Sequence, residues 1–279
     1  MINSIYPSVW CNNNAREMAG FYVSVFPETK ITDENPIVVM LEISGQRLML
    51  LNGGNIFRPN PSISLMYLTT SQEEVEVIYS KLIPGGKAMM SLDQYPFSPK
   101  YGWVEDRYGV SWQLYTGKAE NIIQKLVPTL MFTGGNNGKA EEAVGFYTSL
   151  FPGSQPRGMM RYTGAEGEVA GNIQHGEFTI KDYLLMIMDS SGPHAFGFTE
   201  GLSLTVLCDD QEEIDRYWSS LISGGGEESM CGWLKDRYGV SWQIVPSVLD
   251  SLMARSPRVM EELLKMKKLD ILKLTEAAG

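Results

Sequence analysis

The octapeptide Asp-Arg-Tyr-Gly-Val-Ser-Trp-Gln occurs twice in this chain, at 106–113 and again at 236–243. An identical recurrence at such a distance indicates two copies of one structural unit rather than one large core. The chain has 279 residues, which is enough for two domains of ordinary size. Two homologous domains are therefore the first expectation.

The repeat extends well beyond the octapeptide. The segment GFYVSVFP at 20–27 is answered by GFYTSLFP at 145–152, and each follows a strand-like stretch that contains proline. The segment 64–86 likewise matches 203–225 in order and character. Each half is thus predicted to be a copy of the same fold.

Apolar periodicity switches repeatedly between strand and helix spacing in the first half. Strands are predicted at 5–10, 37–43, 47–51, 63–69, 87–90, 101–105 and 110–115. Helices are predicted from the Asn12–Asn14 cap signal to Pro27, and from about Gln72 to Leu82 before the stop at Gly85-Gly86. This pattern predicts an α+β fold of four βαβββ modules, with two consecutive modules in each half.

The repeat also predicts the domain boundaries. It places the first domain at 1–118, a linker at 119–126, the second domain at 127–246 and a C-terminal helical extension at 247–279. The extension has no counterpart in the first half and carries an apolar stripe over two helices that break at Ser256-Pro257. We expect it to pack on the domains as a clasp; a helix that binds a partner is the alternative.

Composition excludes several classes of partner. The formal charge is −10, and no run of Lys or Arg exceeds the pair Lys267-Lys268. Nucleic acid and anionic membrane surfaces are therefore not expected as partners. Three cysteines without a CxxC motif, and the lack of an apolar segment long enough to cross a bilayer, predict a cytoplasmic protein.

The octapeptide itself contains two signals. Asp106 and Gly109 are typical of a type I turn between two strands, and Asp236 and Gly239 repeat this spacing. On the strand that follows, alternation puts Trp112 on one face and Gln113 on the other. If the glutamine faces inward, a polar side chain lines a concave surface in both copies.

These segments, together with SGQRLML at 44–50 and IPGG at 83–86, closely resemble the vicinal oxygen chelate superfamily. That superfamily includes glyoxalase I, ring-cleaving dioxygenases and bleomycin-resistance proteins. The resemblance is strongest to its PhnB-like branch, often labelled 3-demethylubiquinone 3-methyltransferase-like. It implies two glyoxalase-like domains in which paired βαβββ modules form cup-shaped sheets.

The resemblance also implies a divalent metal held by the first, fourth, fifth and eighth strands of a cup. Here these positions fall on or near Pro7 and Pro128, Asn52 and Asp189, Ser64 and Ser203, and Gln113 and Gln243. Most of these side chains are neutral or cannot bind a metal, so no cofactor is predicted. The second domain keeps Asp189 and has His175 on a neighbouring strand. These two are the candidate catalytic residues, although a lone histidine on a strand is commonly a hydrogen-bonded core or pocket residue.

Aromatic residues complete the list of candidates. The predicted ligand-binding residues are Trp10, Ser64, Trp103, Trp112, Gln113, Ser203, Trp233, Trp242 and Gln243. Core packing is the alternative for the tryptophans. The first half also has a longer segment before its octapeptide, and Tyr95, Phe97 and Tyr101 are predicted to form a lid there as part of a loop.

Three functional hypotheses follow. The leading one is metal-independent binding or sequestration of a small molecule, by a monomer with an internal pseudo-dimer or by a homodimer. The second is a metal-dependent lyase or isomerase of glyoxalase type that uses the second domain. The third is an interaction protein whose terminal helices make a dimer. Methyl transfer is not supported, because no glycine-rich loop follows the first strand to hold an adenosyl cofactor.

Overall fold

The computed structural model describes residues 4–279, which form sixteen β-strands and seven α-helices of an α+β fold. The helices are short, and the longest, Gln211–Ile222, has 12 residues. A bilayer-spanning helix needs about 20 apolar residues. Within 4–279, accordingly, no helix meets the length and hydropathy required to cross a membrane.

Strands and helices are numbered in chain order. The strands are β1 Ile5–Cys11, β2 Thr29–Glu34, β3 Val38–Ile43, β4 Gln46–Asn52, β5 Ile63–Thr69, β6 Lys87–Tyr95, β7 Ser98–Glu105, β8 Ser111–Thr116, β9 Leu126–Phe132, β10 Gln155–Arg161, β11 Ile173–Ile180, β12 Tyr183–Asp189, β13 Leu202–Cys208, β14 Glu227–Glu228, β15 Trp233–Lys235 and β16 Ser241–Pro246. The helices are α1 Ala15–Val25, α2 Gln72–Leu82, α3 Ala140–Leu150, α4 Gln211–Ile222, α5 Leu249–Arg255, α6 Arg258–Leu263 and α7 Ile271–Ala278. The repeated βαβββ order matches the sequence prediction.

The chain divides into two compact units. The central unit is Pro7–Leu202, and the terminal unit combines the N-terminal residues through Tyr6 with Ser203–Gly279. These contact units do not coincide with the two sequence repeats. That 1–118 and 127–246 fold as separate domains stays a prediction.

The central unit contains an eight-stranded sheet, called here the central sheet, in the order β10-β11-β12-β9-β5-β8-β7-β6. Strand β5 of the second module lies antiparallel to β9 of the third, with Ser64 opposite Thr129. The expected pairing of the first module with the second in one sheet is therefore wrong for this sheet. The second and third modules each begin in the middle of the sheet, where their first strands, β5 and β9, are neighbours.

The predicted linker 119–126 explains this pairing. The Leu68 N–H donates to the Lys125 carbonyl (2.8 Å), which fixes the segment beside the end of β5. The buried Gln124 side chain forms two hydrogen bonds with the backbone of one residue of β12: it donates to the Leu184 carbonyl (3.1 Å) and accepts from the Leu184 N–H (3.0 Å). This connection therefore joins the second and third modules within the central sheet.

The octapeptide turn adopts the predicted conformation. The Asp106 carbonyl accepts from the Gly109 N–H (3.0 Å), and Gly109 has a φ of 85°. One oxygen of the Asp106 carboxylate accepts from the Tyr108 and Val110 amides at 2.8 and 3.0 Å. The other oxygen accepts from the Tyr22 hydroxyl (2.7 Å) and the Trp112 indole (3.0 Å). The turn thereby anchors α1 to β8.

The terminal unit has four strands in the order β14-β15-β16-β13, together with α4 and the C-terminal extension. The extension forms three helices rather than two, because the chain also breaks between α6 and α7. Its apolar stripe is buried in one cluster, made by Leu252, Val259, Leu263, Met266, Leu269 and Leu274. The oligomeric state stays a prediction.

Candidate functional site

The central sheet has two different faces. Helices α2 and α3 pack on one face. Trp112 lies on that side and contacts Tyr22 of α1 and Phe26, the residue after α1, at ring-centroid distances of 5.1 and 4.5 Å. The opposite face is called here the site face. Its apolar members form two clusters, one of Met66, Leu68, Val127, Leu184 and Met186, the other of Tyr101, Trp103 and Met131 with Met188 and Phe196.

A buried polar network lies among these apolar residues. The Gln113 amide donates to the Ser64 hydroxyl (2.6 Å) and accepts from the Tyr101 hydroxyl (2.8 Å). The Trp103 indole, directly opposite Gln113 on β7, donates to the Ser111 hydroxyl (2.7 Å). Burial raises the pKa of Tyr101 well above its usual range, so its hydroxyl stays protonated. The network is neutral and is shielded from water.

Thr129 is the site-face residue of β9 that the sequence did not identify. It lies opposite Ser64, whereas Pro128 pairs with Leu65 and so points to the helix-covered face. The choice of Pro128 was therefore wrong by one residue. The Thr129 side chain is 2% exposed, and its hydroxyl has no hydrogen-bond partner among residues 4–279.

His175 lies on β11 at the more exposed side of the site face. Its Nε2 is 3.5 Å from Glu177 Oε1, and Arg157 Nε is 4.0 Å from the other carboxylate oxygen. Glu177 lies opposite Met186 of the site face. Hydrogen bonding to His175 lowers the pKa of Glu177, with Arg157 adding to the effect against partial burial. Burial and the nearby Glu177 charge raise the pKa of Tyr115.

Asp189 does not join His175. Its carboxylate accepts from the Gly138 (2.8 Å), Ala140 (3.2 Å) and Ile173 (2.9 Å) amides and so fixes the start of α3 and β11. Burial raises its pKa. Alternation on β12 gives the site face to Met188 instead. The structure therefore does not bring the two candidate catalytic residues together, and the Asp189 carboxylate bonds backbone amides instead.

The predicted lid is a β-hairpin rather than a loop. Strands β6 and β7 continue to Tyr95 and Ser98, which pair directly. Phe97 stacks on Tyr95 (5.5 Å) and meets Tyr101 edge-on (5.1 Å), and its carbonyl accepts from the Tyr115 hydroxyl (2.8 Å). The hairpin thus places an aromatic group at the edge of the site face.

The tryptophans separate into distinct environments. Trp112 and Trp242 are fully buried and donate to Asp106 and Asp236 at 3.0 and 2.9 Å. Their prediction as ligand-binding residues is corrected. Trp112 packs on the helix-covered side, and each indole hydrogen-bonds the aspartate of its own octapeptide turn. Trp10 belongs to neither set: its indole donates to the Gly54 carbonyl (2.8 Å), and its ring meets Phe57 at 5.0 Å.

The terminal unit repeats part of the network. Gln243 donates to Ser203 (3.0 Å), and Trp233 lies opposite Gln243. The residue that corresponds to Tyr101 is Cys231, so the second hydroxyl partner is missing from this copy. The Cys231 amide instead donates to the Met266 carbonyl of the C-terminal extension (2.7 Å).

The donors on the site face do not fit a divalent metal. Ser64, Gln113 and Thr129 are neutral, and two of them already hydrogen-bond each other. His175 and Glu177 form a single pair, and no group of three or more His, Cys, Asp or Glu side chains suited to a metal occurs anywhere in 4–279. Divalent ions need several charged or imidazole ligands in one shell.

Comparison with known proteins identifies the family. The family described as 3-demethylubiquinone-9 3-methyltransferase matches residues 3–115 and again 124–245. The chain belongs to this family. A PhnB protein from Bacillus cereus with the same methyltransferase description is 39% identical, and the match covers 44% of this chain and 100% of that one, with a TM-score of 0.41.

Solved structures show the wider fold of this family member. Glyoxalase I from Zea mays has a TM-score of 0.61 at 12% identity over 89% of this chain and 94% of its own. A protein from Pseudomonas aeruginosa, PA1353, is 24% identical over 42% of this chain and 93% of its own, with a TM-score of 0.36. No curated protein matches the chain. The fold is thus a tandem glyoxalase-like fold.

Proposed function

We propose that the chain binds or sequesters a small organic molecule on the site face of the central unit, without a metal ion. The observation that carries this proposal is the neutral network of Ser64, Tyr101 and Gln113, buried within an apolar face. Small-molecule sites are mostly apolar and contain a few placed polar groups that orient the ligand.

The surrounding side chains support the same proposal. Met66, Met131 and Met188 belong to or pack on the site-face clusters, and methionine adapts its shape at low cost. The stacked rings of Tyr95 and Phe97 supply a flat apolar surface at the edge. A planar ligand of modest polarity fits these properties, and the formal charge of −10 favours a neutral or cationic one.

The terminal unit is a weaker candidate for binding. Cys231 replaces the tyrosine of the network, and the backbone of 231–232 bonds to Met266 and Lys267 of the C-terminal extension at 2.7 and 2.8 Å. In the central unit, the corresponding residue Tyr101 of β7 pairs with Asp93 of β6. In the terminal unit the C-terminal extension lies beside residues 231–232 instead. We therefore assign the ligand to the central unit alone.

A second candidate is an isomerase or lyase that uses His175 to move a proton. The contact between His175 and Glu177 on the site face favours it, because a carboxylate partner orients an imidazole for acid–base chemistry. His175→Gln is the test variant: it keeps a polar side chain and removes the base. Turnover that survives this change would exclude His175 as the base. Methyl transfer, the reaction in the family description, is not part of the proposal.

Methionine-methyl NMR tests the binding proposal. Protein labelled with ¹³C at the methionine methyl groups is titrated with a panel of planar aromatic compounds. We expect at least one compound to shift Met66, Met131 and Met188 saturably while Met266, buried in the cluster of the C-terminal extension, stays unchanged. Shifts spread evenly over all methionines, or no saturable shift, would contradict a site on this face.

Matched variants locate the site and test metal dependence. Gln113→Leu should abolish the saturable shifts, whereas Gln243→Leu, its counterpart in the terminal unit, should preserve them. In parallel, tag-free protein is dialysed after exposure to manganese, nickel, zinc and iron, and its metal content is measured by elemental mass spectrometry. A stoichiometric ion retained by wild type would overturn metal independence without affecting the location of the ligand.

A further inference from the structure

A cavity lies at the octapeptide turn, away from the site face. Its volume is about 550 Å³, and its lining comes from the end of β1, the start of α1, the loop after β4 and the turns at 85–87 and 105–109. None of the network residues Ser64, Tyr101 or Gln113 borders it. The proposed function therefore leaves this cavity unexplained.

Two basic side chains of the cavity form no ion pair within residues 4–279. Lys87 pairs with Glu105 at 3.1 Å, and the Asp106 carboxylate is buried under four hydrogen bonds. Arg58 and Arg107 also line the cavity, are exposed, and have no ion-pair partner among the residues described, 4–279. Two guanidinium groups without an ion-pair partner among these residues therefore border one cavity of a protein whose formal charge is −10.

The position of Arg107 differs from that of its counterpart. Its guanidinium lies 4.4 Å above the Phe21 ring, a contact that leaves its N–H groups available. In the second octapeptide, Arg237 donates to the Ser223 hydroxyl (3.1 Å), whereas no hydroxyl accepts from Arg107 among residues 4–279. Because the motif is identical in both copies, the turn itself does not explain why the Arg107 guanidinium has no hydrogen-bond acceptor among residues 4–279.

The Arg58 loop is held against the octapeptide turn. A methyl group at Gly109 would lie 3.6 Å from the Pro59 carbonyl oxygen, and one at Gly85 would lie 3.3 Å from Arg107 Cβ. The two arginines thus border the same small space. Two positively charged side chains that line one cavity both attract an anion bound in it.

Aromatic and amide groups line the rest of the cavity. Trp10 and Phe57 present perpendicular rings 5.0 Å apart. Asn14 occupies the N-cap position of α1, yet its side chain makes no capping hydrogen bond. An aromatic wall beside two guanidinium groups suits a ligand that combines a ring with an anionic group.

We propose that this cavity binds a small aromatic anion, with its phosphate or carboxylate held by Arg58 and Arg107 and its ring against Trp10 and Phe57. The inference is independent of the ligand on the site face. It gives the first octapeptide a binding role in addition to its role in the turn.

The test uses the full chain labelled with ¹⁵N at the tryptophan indoles. Phenyl phosphate and benzoate are titrated separately, and the indole N–H signals are followed by NMR. We expect a saturable shift of Trp10 with at least one of them and no shift of Trp242. The two compounds distinguish a phosphate site from a carboxylate site. Inorganic phosphate should bind at least about fivefold more weakly than phenyl phosphate, because it lacks the ring.

Variants decide whether the arginines hold the anion. Arg58→Ala and Arg107→Met should each weaken binding about tenfold, since a charge-assisted hydrogen bond is lost. The methionine keeps the packing on Phe21, and Arg237→Ala serves as the matched control that leaves affinity unchanged. No saturable shift with either compound, equal loss in the Arg237 variant, or full affinity in both test variants would overturn the proposal.

Discussion

The octapeptide makes a quantitative prediction about stability through Asp106. Its carboxylate is 3% exposed and accepts four hydrogen bonds, two from turn amides and two from the buried Tyr22 hydroxyl and Trp112 indole. Asp106→Ala removes the acceptor from all four donors. Each donor left unpaired costs about 1–3 kcal/mol when buried.

Two effects reduce that sum. Burial raises the pKa of Asp106, which shows that the folded state bears a desolvation cost for this charge, and the variant recovers that cost. Water can also enter the space left by the carboxylate and bond some of the donors. We therefore expect a net loss of about 3–5 kcal/mol in the free energy of unfolding.

Urea denaturation at neutral pH, followed by circular dichroism, measures this loss. Because the chain has two compact units, the traces are fitted with more than one transition where required. Asp236→Ala is the matched variant, since Asp236 accepts from the Tyr238 and Val240 amides and the Trp242 indole at 2.9, 3.1 and 2.9 Å. A loss below about 1 kcal/mol for Asp106→Ala would refute the reasoning, because exposed carboxylates cost no more than that.

Three further predictions concern the site face and the extension. Thr129→Val should leave stability unchanged or raise it by up to about 2 kcal/mol, because an unpaired buried hydroxyl is removed, whereas Ser64→Ala should lower it by about 1 kcal/mol by depriving Gln113 of its acceptor; urea titration distinguishes the two signs. Glu177→Gln should lower the melting temperature at pH 7. The stabilisation from the charged carboxylate is complete above the pKa of Glu177 in the unfolded state and is lost as pH falls through its lowered pKa in the folded state, so the difference in melting temperature between variant and wild type should disappear there. A difference that does not change with pH would contradict this. Leu269→Ala should cost about 2–5 kcal/mol in thermal or urea unfolding, because the side chain is fully buried in the extension's cluster.

Local features of the fold were predictable because their causes lie close together in sequence. The turn at Asp106 and Gly109 depends on a side chain and an amide within four residues. The start of α2 depends on Ser71, whose hydroxyl accepts from the Glu74 amide (3.1 Å). These two signals held in the structure. The cap signal at Asn12–Asn14 did not, because Asn14 makes no capping hydrogen bond and the Ala15 N–H donates to Asn52 Oδ1 (3.0 Å).

Module pairing was not predictable in the same way. Strands β5 and β9 are both buried on two faces and read as continuous apolar runs, so either suits several partners. The choice between them depends on contacts such as those of Gln124, which bonds residues 60 positions away. No local pattern reports a contact of that range.

The error at Pro128 has a related cause. Counting back from the following helix located the correct strand, but the face of a residue changes with every step along a strand. Which residues of β9 point to the site face follows from its pairing with β5, in which Thr129 lies opposite Ser64. Asp189 shows the same effect. Its neighbour Met188 points to the site face, whereas the Asp189 carboxylate accepts hydrogen bonds from backbone amides on the other side.

A neutral amide at position 113 is consistent with its surroundings. Gln113 donates on one side to Ser64 and accepts on the other from Tyr101, which a carboxylate, having no donor, cannot do. A glutamate here would also be desolvated, because the side chain is 4% exposed and has no cation among its hydrogen-bond partners. The second copy keeps the donor half of this arrangement between Gln243 and Ser203. The amide is thus stabilised by its partners in both copies, while only the central unit adds the tyrosine and the aromatic hairpin, which favours the site face of that unit as the place where a ligand binds.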